Sequence, residues 1–108
     1  ASFGCRAEVV YGEGYRYPVG VNNPQVASLV REIAVNMGQD PRVVDLPGPI
    51  MFSEDFAYFL QQVPGCYFGF GSGDIKSLHD PGYDFNDAAL VPGVAFWARI
   101  VEAALPAQ

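Results

Sequence analysis

The chain has 108 residues, a length that suits one small domain, and half of them are hydrophobic, which is typical of a folded globular protein. Six basic residues against twelve acidic ones give a formal net charge of −6, which repels nucleic acid and anionic membrane surfaces. The apolar stretches are far shorter than the roughly 20 residues that a membrane-spanning helix needs. We therefore expect a soluble protein with neither a nucleic-acid nor a membrane partner.

The beginning of the sequence has no initiator methionine and no secretory leader, so we interpret the chain as a piece of a longer protein. Without a leader, the two cysteines, Cys5 and Cys66, are expected to be free thiols in a reducing, cytoplasmic compartment. A disulfide between them is the alternative.

The first predicted element is a strand over residues 2–11, where apolar and polar side chains alternate with the period of a half-buried strand. We expect it at the edge of a sheet. Residues 12–24 are rich in Gly, Pro, Asn and Tyr and show no apolar periodicity, which predicts a connection, with a domain boundary near Pro18.

A helix is predicted next, with Asn23 as its N-cap, Pro24 at its first position and Gly38 as its stop. Its apolar stripe recurs at spacings of three and four and consists of Val26, Leu29, Val30, Ile33, Ala34 and Met37. The short β-branched run at residues 42–46 then predicts a strand.

A second helix is predicted to begin with Ser53 as its cap and to carry Glu54 and Asp55 in its first turn, where carboxylates favour the positive end of the helix dipole. Pro64 ends it. Residues 66–70 are aromatic and uncharged, which predicts a central strand covered on both faces.

The stretch 71–87 is polar and Gly-rich and holds four aspartates and the only histidine, so it is predicted to be a loop. A short turn at 87–90 and a main helix from Pro92 to Leu105 complete the chain. Helices that alternate with short apolar strands predict an α/β fold, a layered sheet covered by helices. Loops beyond the carboxyl ends of such strands are where ligands usually bind.

His79 is the candidate metal ligand, because neutral imidazole is the commonest metal ligand and a nearby carboxylate can accept its other N–H. Asp80 and Asp84 are candidates for that orienting carboxylate. The alternative for His79 is a solvated loop residue, and one histidine cannot form a catalytic zinc site, which needs roughly three protein ligands. The aspartates do not follow the spacing of an EF-hand, and Asn86 or Asp87 is expected to cap the last helix.

Two further features have competing interpretations. Glu54 is a candidate for the lining of a substrate pocket, although electrostatics at a helix start already account for both Glu54 and Asp55. The glycines of residues 69–73 are not followed by a helix or by a Lys-Ser or Lys-Thr pair, which argues against nucleotide binding.

Three segments together resemble the last third of the metal-dependent aminoacylases, hippurate hydrolases and auxin-conjugate hydrolases. They are MFSEDFAYFLQQVPGCYFGFGSGD, LHDPGYDFNDAAL and VPGVAFWARIVEAAL, in that order. The resemblance spans nearly the whole chain. It implies a zinc-peptidase-like catalytic domain into which a smaller dimerisation lid is inserted. Residues 1–18 then correspond to the last strand and exit of the lid, and residues 19–108 to the C-terminal portion of the catalytic domain.

The resemblance also implies that His79 is a metal ligand. The family's other ligands and its general-base glutamate have no counterpart here, so we expect this chain alone to be inactive and not to retain metal. The intact enzyme is expected to be a homodimer that binds two divalent ions, zinc, manganese or similar, and hydrolyses the amide bond of an N-acyl or N-aroyl amino acid or a peptide-like substrate.

One residue departs from the family pattern, because Phe52 stands where members usually carry glycine. A bulkier side chain there is expected to narrow the substrate pocket or change the preferred acyl group. The competing hypothesis is a non-catalytic interaction module that associates through its edge strand and acidic loop.

Overall fold

The computed structural model describes residues 3–12, 14, 16–38 and 43–105. Within these ranges the regular structure consists of helices α1 (Pro24–Asn36), α2 (Phe56–Leu60) and α3 (Leu90–Ala104), with a 3₁₀ turn at Asp87–Ala89. None of the helices in the described ranges is long and apolar enough to cross a bilayer.

Helix α1 confirms the predicted capping residues. The Asn23 side-chain oxygen accepts hydrogen bonds from the backbone N–H groups of Gln25 and Val26, both at 3.1 Å, and Pro24 occupies the first helical position. Gly38 follows directly after the C-cap residue Met37. The start of α1 was readable from sequence because both signals are local.

The prediction that Ser53 caps helix α2 is wrong. The helix has five residues and begins at Phe56 after Asp55, whose side chain makes no capping bond. Instead, the Glu54 carboxylate accepts from the Phe56 N–H at 3.2 Å. At the other end, a Cβ added to Gly65 would meet a Leu60 methyl at 3.0 Å, so glycine lets the chain turn closely past the helix.

Helix α3 begins at Leu90, two residues before the predicted start at Pro92. Proline is tolerated there because the N–H groups of a first turn have no partner within the helix. Asn86 is the cap of the preceding 3₁₀ turn, since its side-chain oxygen accepts from the Ala88 N–H at 3.1 Å. The prediction that Asn86 or Asp87 would cap the last helix is therefore wrong, because Ala89 precedes α3 and makes no side-chain capping bond, and Asn86 caps the turn that leads into the helix instead.

Residues 66–70 have no strand assignment, so the central strand predicted there stays a prediction, and their aromatic rings pack against α3. The Phe68 ring meets the buried Phe96 ring edge to face at 5.3 Å between centroids, and lies 5.7 Å from Trp97. Phe70 contacts the same Phe96 ring at 6.3 Å. Each such pair contributes about 0.5–1.5 kcal/mol beyond the burial of its area.

The opposite edge of this segment is bound by Asn22. Its side-chain amide donates to the Tyr67 carbonyl at 2.8 Å, and its side-chain oxygen accepts from the Tyr67 N–H at 2.7 Å. The Asn23 backbone N–H donates to the Gly65 carbonyl at 2.8 Å. One asparagine side chain thus bonds both the N–H and the carbonyl of Tyr67, as a residue on a neighbouring strand would, and it joins the start of α1 to residues 66–70.

No strand ladder forms among the described residues. The predicted strand at 2–11 is exposed over residues 3–11, and residue 2 lies outside the described ranges. Residues 43–46 carry no strand pairing either, although the Asp45 carboxylate accepts from Arg31 at 2.6 Å, and residue 42 is also outside the described ranges. The layered α/β sheet therefore stays a prediction.

The chain leaves much of its apolar surface open. A compact protein of 11.7 kDa exposes about 5,900 Å², whereas this chain exposes 9746 Å². Its radius of gyration is 19.4 Å, against about 13 Å for a compact domain of this length. The buried hydrophobic side chains among the described residues are Val30, Ala57 and Phe96. These helices and loops therefore do not close a core by themselves.

We expect the isolated 108-residue chain to self-associate, because uncovered apolar side chains lower their free energy by leaving water. Multi-angle light scattering should give a mass that rises with protein concentration above 11.7 kDa. The association should persist at high salt, which screens charge attraction but not apolar contact. A constant monomer mass across concentrations would contradict this expectation.

The substitution Asn22→Ala should lower the free energy of unfolding by about 1–2 kcal/mol, because it removes two hydrogen bonds to the Tyr67 peptide groups. The measurement is a shift of the urea midpoint in the whole protein. Asn36→Ala is the matched control, since Asn36 is an exposed residue in the last turn of α1, where alanine favours the helix. Equal midpoints for the two variants would refute the role given to Asn22.

Candidate functional site

One hydrogen bond joins the two ends of the loop that carries His79. The Asn86 side-chain amide donates to the Ser72 carbonyl at 2.7 Å, so the cap of the 3₁₀ turn also closes the loop. A Cβ at Gly73 would come within 3.3 Å of the same Asn86 amide nitrogen, and Gly73 has φ of +94°, which favours glycine. The segment between Ser72 and Asn86 is therefore a closed loop with a fixed base.

His79 lies at the exposed outer part of this loop in an unusual backbone conformation. Its φ is +70°, in the left-handed region that residues other than glycine seldom adopt, at a cost of about 1 kcal/mol or more. Its imidazole is exposed and makes no hydrogen bond to any described residue. Both ring nitrogens are therefore open to a partner from beyond the described part of this chain.

Asp80 and Asp84 do not orient the His79 ring in the described structure. The Asp80 carboxylate accepts from the Gly82 N–H at 2.7 Å, and the Lys76 ammonium lies 3.7 Å from the same oxygen. Asp84 is exposed and makes no hydrogen bond with a described residue. The outer-shell roles predicted for both residues stay predictions.

The described residues supply one candidate ligand and no complete metal site. Among them, no three His, Cys, Asp or Glu side chains come together in a group that could hold an ion. A single exposed imidazole fits the role of one ligand of a shared site, because catalytic zinc uses about three protein ligands. The remaining ligands would have to come from other segments.

Glu54 is engaged in structural hydrogen bonds. One carboxylate oxygen accepts from the Phe56 N–H, and the other accepts from the Tyr67 hydroxyl at 3.0 Å. The Phe52 ring lies 6.0 Å from the Tyr67 ring, so the residue that departs from the family pattern packs beside this pair. Glu54 thus ties α2 to residues 66–70, and its predicted place in a substrate pocket stays a prediction.

The hydrogen bond to Glu54 raises the pKa of Tyr67 above its ordinary value, and partial burial adds to the rise. The nearby negative charge of Asp55 likewise raises the pKa of Tyr17. Burial raises the pKa of the Cys66 thiol, which makes it less reactive because the thiolate is the nucleophile. Cys5 and Cys66 are both free thiols.

An apolar cavity of about 580 Å³ separates the loop from α3. Leu78, the neighbour of His79, lines it, whereas His79 does not. Most of its wall is aromatic or aliphatic, and its polar residues are Ser72 and Lys76. The inner side of the loop is thus apolar, while His79 lies outside the cavity on the exposed part of the loop.

Sequence reasoning missed the anchoring roles of Asn22 and Tyr67. Asn22 was assigned to a connection, and Tyr67 only to an apolar strand. The signal that was available is the chemistry of asparagine, whose side chain carries both a donor and an acceptor and can mimic a peptide group. Its partner, however, lies 45 positions away, so no local pattern points to it.

Comparison with known proteins assigns the chain to a family by its sequence. The chain matches the peptidase family M20/M25/M40 over residues 6–103. It is 38% identical over 105 residues to an N-acetyldiaminopimelate deacetylase of Lacticaseibacillus casei, which covers 94% of this chain and 26% of that protein. It is 30% identical over 105 residues to an uncharacterized hydrolase of Staphylococcus aureus strain N315, with 92% and 26% covered. No solved structure matches it.

The chain belongs to the peptidase family M20/M25/M40, since the match covers nearly all of it. It spans about a quarter of the length of the curated relatives that it matches.

We expect the pKa of Tyr67 to fall toward its ordinary value when Glu54 is replaced by Gln, because the anionic acceptor that stabilises the neutral phenol is gone and only the smaller effect of partial burial remains. Because the pKa of Tyr67 is raised in the folded state, its hydrogen bond to Glu54 stabilises the fold fully below about pH 10. This contribution to stability is lost as the pH rises through the pKa of the folded state. Alkaline titration of tyrosine absorbance, taken as the difference between parent and Tyr67→Phe proteins, isolates this residue.

The same difference measured in a Glu54→Gln background should titrate at lower pH. Glu32→Gln, which changes an exposed carboxylate on α1, is the matched control and should leave the Tyr67 curve unchanged. Identical Tyr67 curves with and without the Glu54 carboxylate would contradict the assignment.

Proposed function

We propose that the whole protein is a metal-dependent amidohydrolase that cleaves the amide bond of N-acyl or N-aroyl amino acids, with His79 as one metal ligand. The observation that carries the proposal is the exposed imidazole of His79 on a closed loop, with no partner among the described residues. A ligand side chain that is held in place by its backbone and left open at its nitrogens is what a shared metal site requires.

The substrate class is supported by one named relative. The Lacticaseibacillus casei protein is an N-acetyldiaminopimelate deacetylase, and removal of an acetyl group from an amino nitrogen is the hydrolysis of an amide. We extend this chemistry to N-acyl amino acids in general. Water adds to the acyl carbon, the carbon–nitrogen bond breaks, and a carboxylate and a free amine result.

Two divalent ions, zinc, manganese or similar, would supply Lewis-acid polarisation and a lowered pKa for bound water. This chain would contribute the neutral imidazole of His79, which binds a metal through a ring nitrogen. The other ligands and the proton acceptor would come from the rest of the protein, because the described residues hold no group of three ligand side chains. For the same reason we propose that this chain alone is inactive and retains no metal.

The domain division is also a proposal. We assign residues 1–18 to the last strand and exit of a lid domain that forms a homodimer, and residues 19–108 to the C-terminal portion of a layered α/β catalytic domain. The Tyr58 hydroxyl donates to the Arg16 carbonyl at 2.7 Å and thereby fixes the connection onto α2. The many exposed apolar side chains support this assignment, because the remainder of a longer protein would cover them.

Replacement of His79 by Ala in the whole protein should lower metal affinity and turnover by more than about 100-fold, because loss of an outer-shell partner alone costs 10- to 100-fold. Metal content is measured by elemental analysis after dialysis. Turnover is measured as release of free amine from an N-acetyl amino acid.

Ser77→Ala is the matched control, since Ser77 lies on the same loop, is exposed, and makes no side-chain hydrogen bond with a described residue. It should behave like the parent protein. Normal metal content together with near-normal turnover in the His79→Ala protein would refute the ligand role.

A further inference from the structure

Asp80 lies where two reverse turns meet, directly after His79. In the first turn, the Asp80 N–H donates to the Ser77 carbonyl at 3.1 Å, and in the second, the Tyr83 N–H donates to the Asp80 carbonyl at 2.9 Å. The Asp80 carboxylate also accepts from the Gly82 N–H at 2.7 Å. All three polar groups of Asp80 are therefore used to shape the loop backbone.

His79 adopts its left-handed conformation within the first of these two turns, directly before Asp80. An L-residue other than glycine remains at φ of +70° only when the surrounding structure holds it there. His79 lies inside the first turn, between Ser77 and Asp80, so the bonds of Asp80 are the nearest ones that can hold it. That backbone conformation sets the direction of the His79 Cα–Cβ bond, from which the imidazole extends.

We propose that Asp80 is a positioning residue that sets the direction of the His79 imidazole through the backbone. Its side-chain oxygen closes the second turn on the Gly82 N–H, and the closed double turn keeps His79 in the left-handed region. The inference rests on the proposed role of His79 as a metal ligand. It differs from the usual arrangement in which a carboxylate bonds directly to the ligand ring.

This role needs an acceptor oxygen at position 80 but no negative charge. Aspartate and asparagine both form this local side-chain bond to the backbone two residues on, and serine forms it more weakly. The nearby Lys76 ammonium lies 3.7 Å from the carboxylate, and both side chains are largely exposed, so this ion pair contributes little. Asparagine should therefore replace aspartate, and alanine should not.

The test compares Asp80→Asn, Asp80→Ser and Asp80→Ala in the whole protein after removal of metal. Zinc affinity is measured by competition with a chromophoric chelator. We expect Asp80→Ala to bind zinc about tenfold more weakly, Asp80→Asn to stay within about threefold of the parent, and Asp80→Ser to fall between them. Lys76→Met, which removes only the ion pair, is the matched control and should bind zinc as the parent does.

A second readout needs no metal. Hydrogen exchange of a peptide that spans residues 76–85 should show faster exchange of the Gly82 amide in Asp80→Ala and unchanged exchange in Asp80→Asn. If Asp80→Asn weakens zinc binding as much as Asp80→Ala, the charge is what matters, and the backbone role is overturned.

The two proposals fail in different ways. Unchanged zinc affinity in Asp80→Ala, with weakened affinity in His79→Ala, overturns only the positioning role. Unchanged zinc affinity in His79→Ala overturns the proposed function and the positioning role with it.

Discussion

The pairing of the Asn22 side chain with the peptide groups of Tyr67 is the contact on which the rest of the described structure depends. It joins two parts of the chain that are 45 positions apart. Through it, the start of α1 is fixed to residues 66–70, whose rings pack on the buried Phe96 of α3. Glu54 adds a second tie, because it links the start of α2 to the Tyr67 hydroxyl.

From this anchored segment the chain passes directly into the loop that carries His79. Asn86 closes the base of the loop by bonding both Ser72 and the backbone of the helix start. The rigidity of the loop thus comes from short polar contacts at its base and around Asp80, while the inner side faces an apolar cavity. Such a loop can present a side chain in a defined direction without burying it.

The described residues leave a large apolar surface exposed to solvent. Side chains that are aromatic or aliphatic and exposed make up much of the described surface, and a chain of this mass that folded compactly would expose far less area. The curated relatives are about four times as long as the region matched here. Faces of this kind are what a larger fold covers, and the sheet predicted from sequence would need strands from that larger fold to pair with residues 66–70.

The sequence by itself determined the features that depend on neighbouring residues. The Asn23 and Pro24 start of α1 and its end at Gly38 follow from local capping signals. The helical end of the chain follows from its apolar periodicity. The likeness of the loop to a family motif also singled out His79; the match to the M20/M25/M40 family supports that likeness, while the role of His79 stays a prediction.

Only the tertiary structure decided which polar side chains serve the fold. Ser53 does not cap α2; the Glu54 carboxylate accepts from the Phe56 N–H instead, and the Tyr67 hydroxyl, 13 positions along the chain, donates to the same carboxylate. In the described structure the Asp80 carboxylate accepts a hydrogen bond from the Gly82 N–H and makes none with the His79 ring. Such choices could not be read from the sequence, because a carboxylate or an amide can satisfy several partners, and distance in space selects among them.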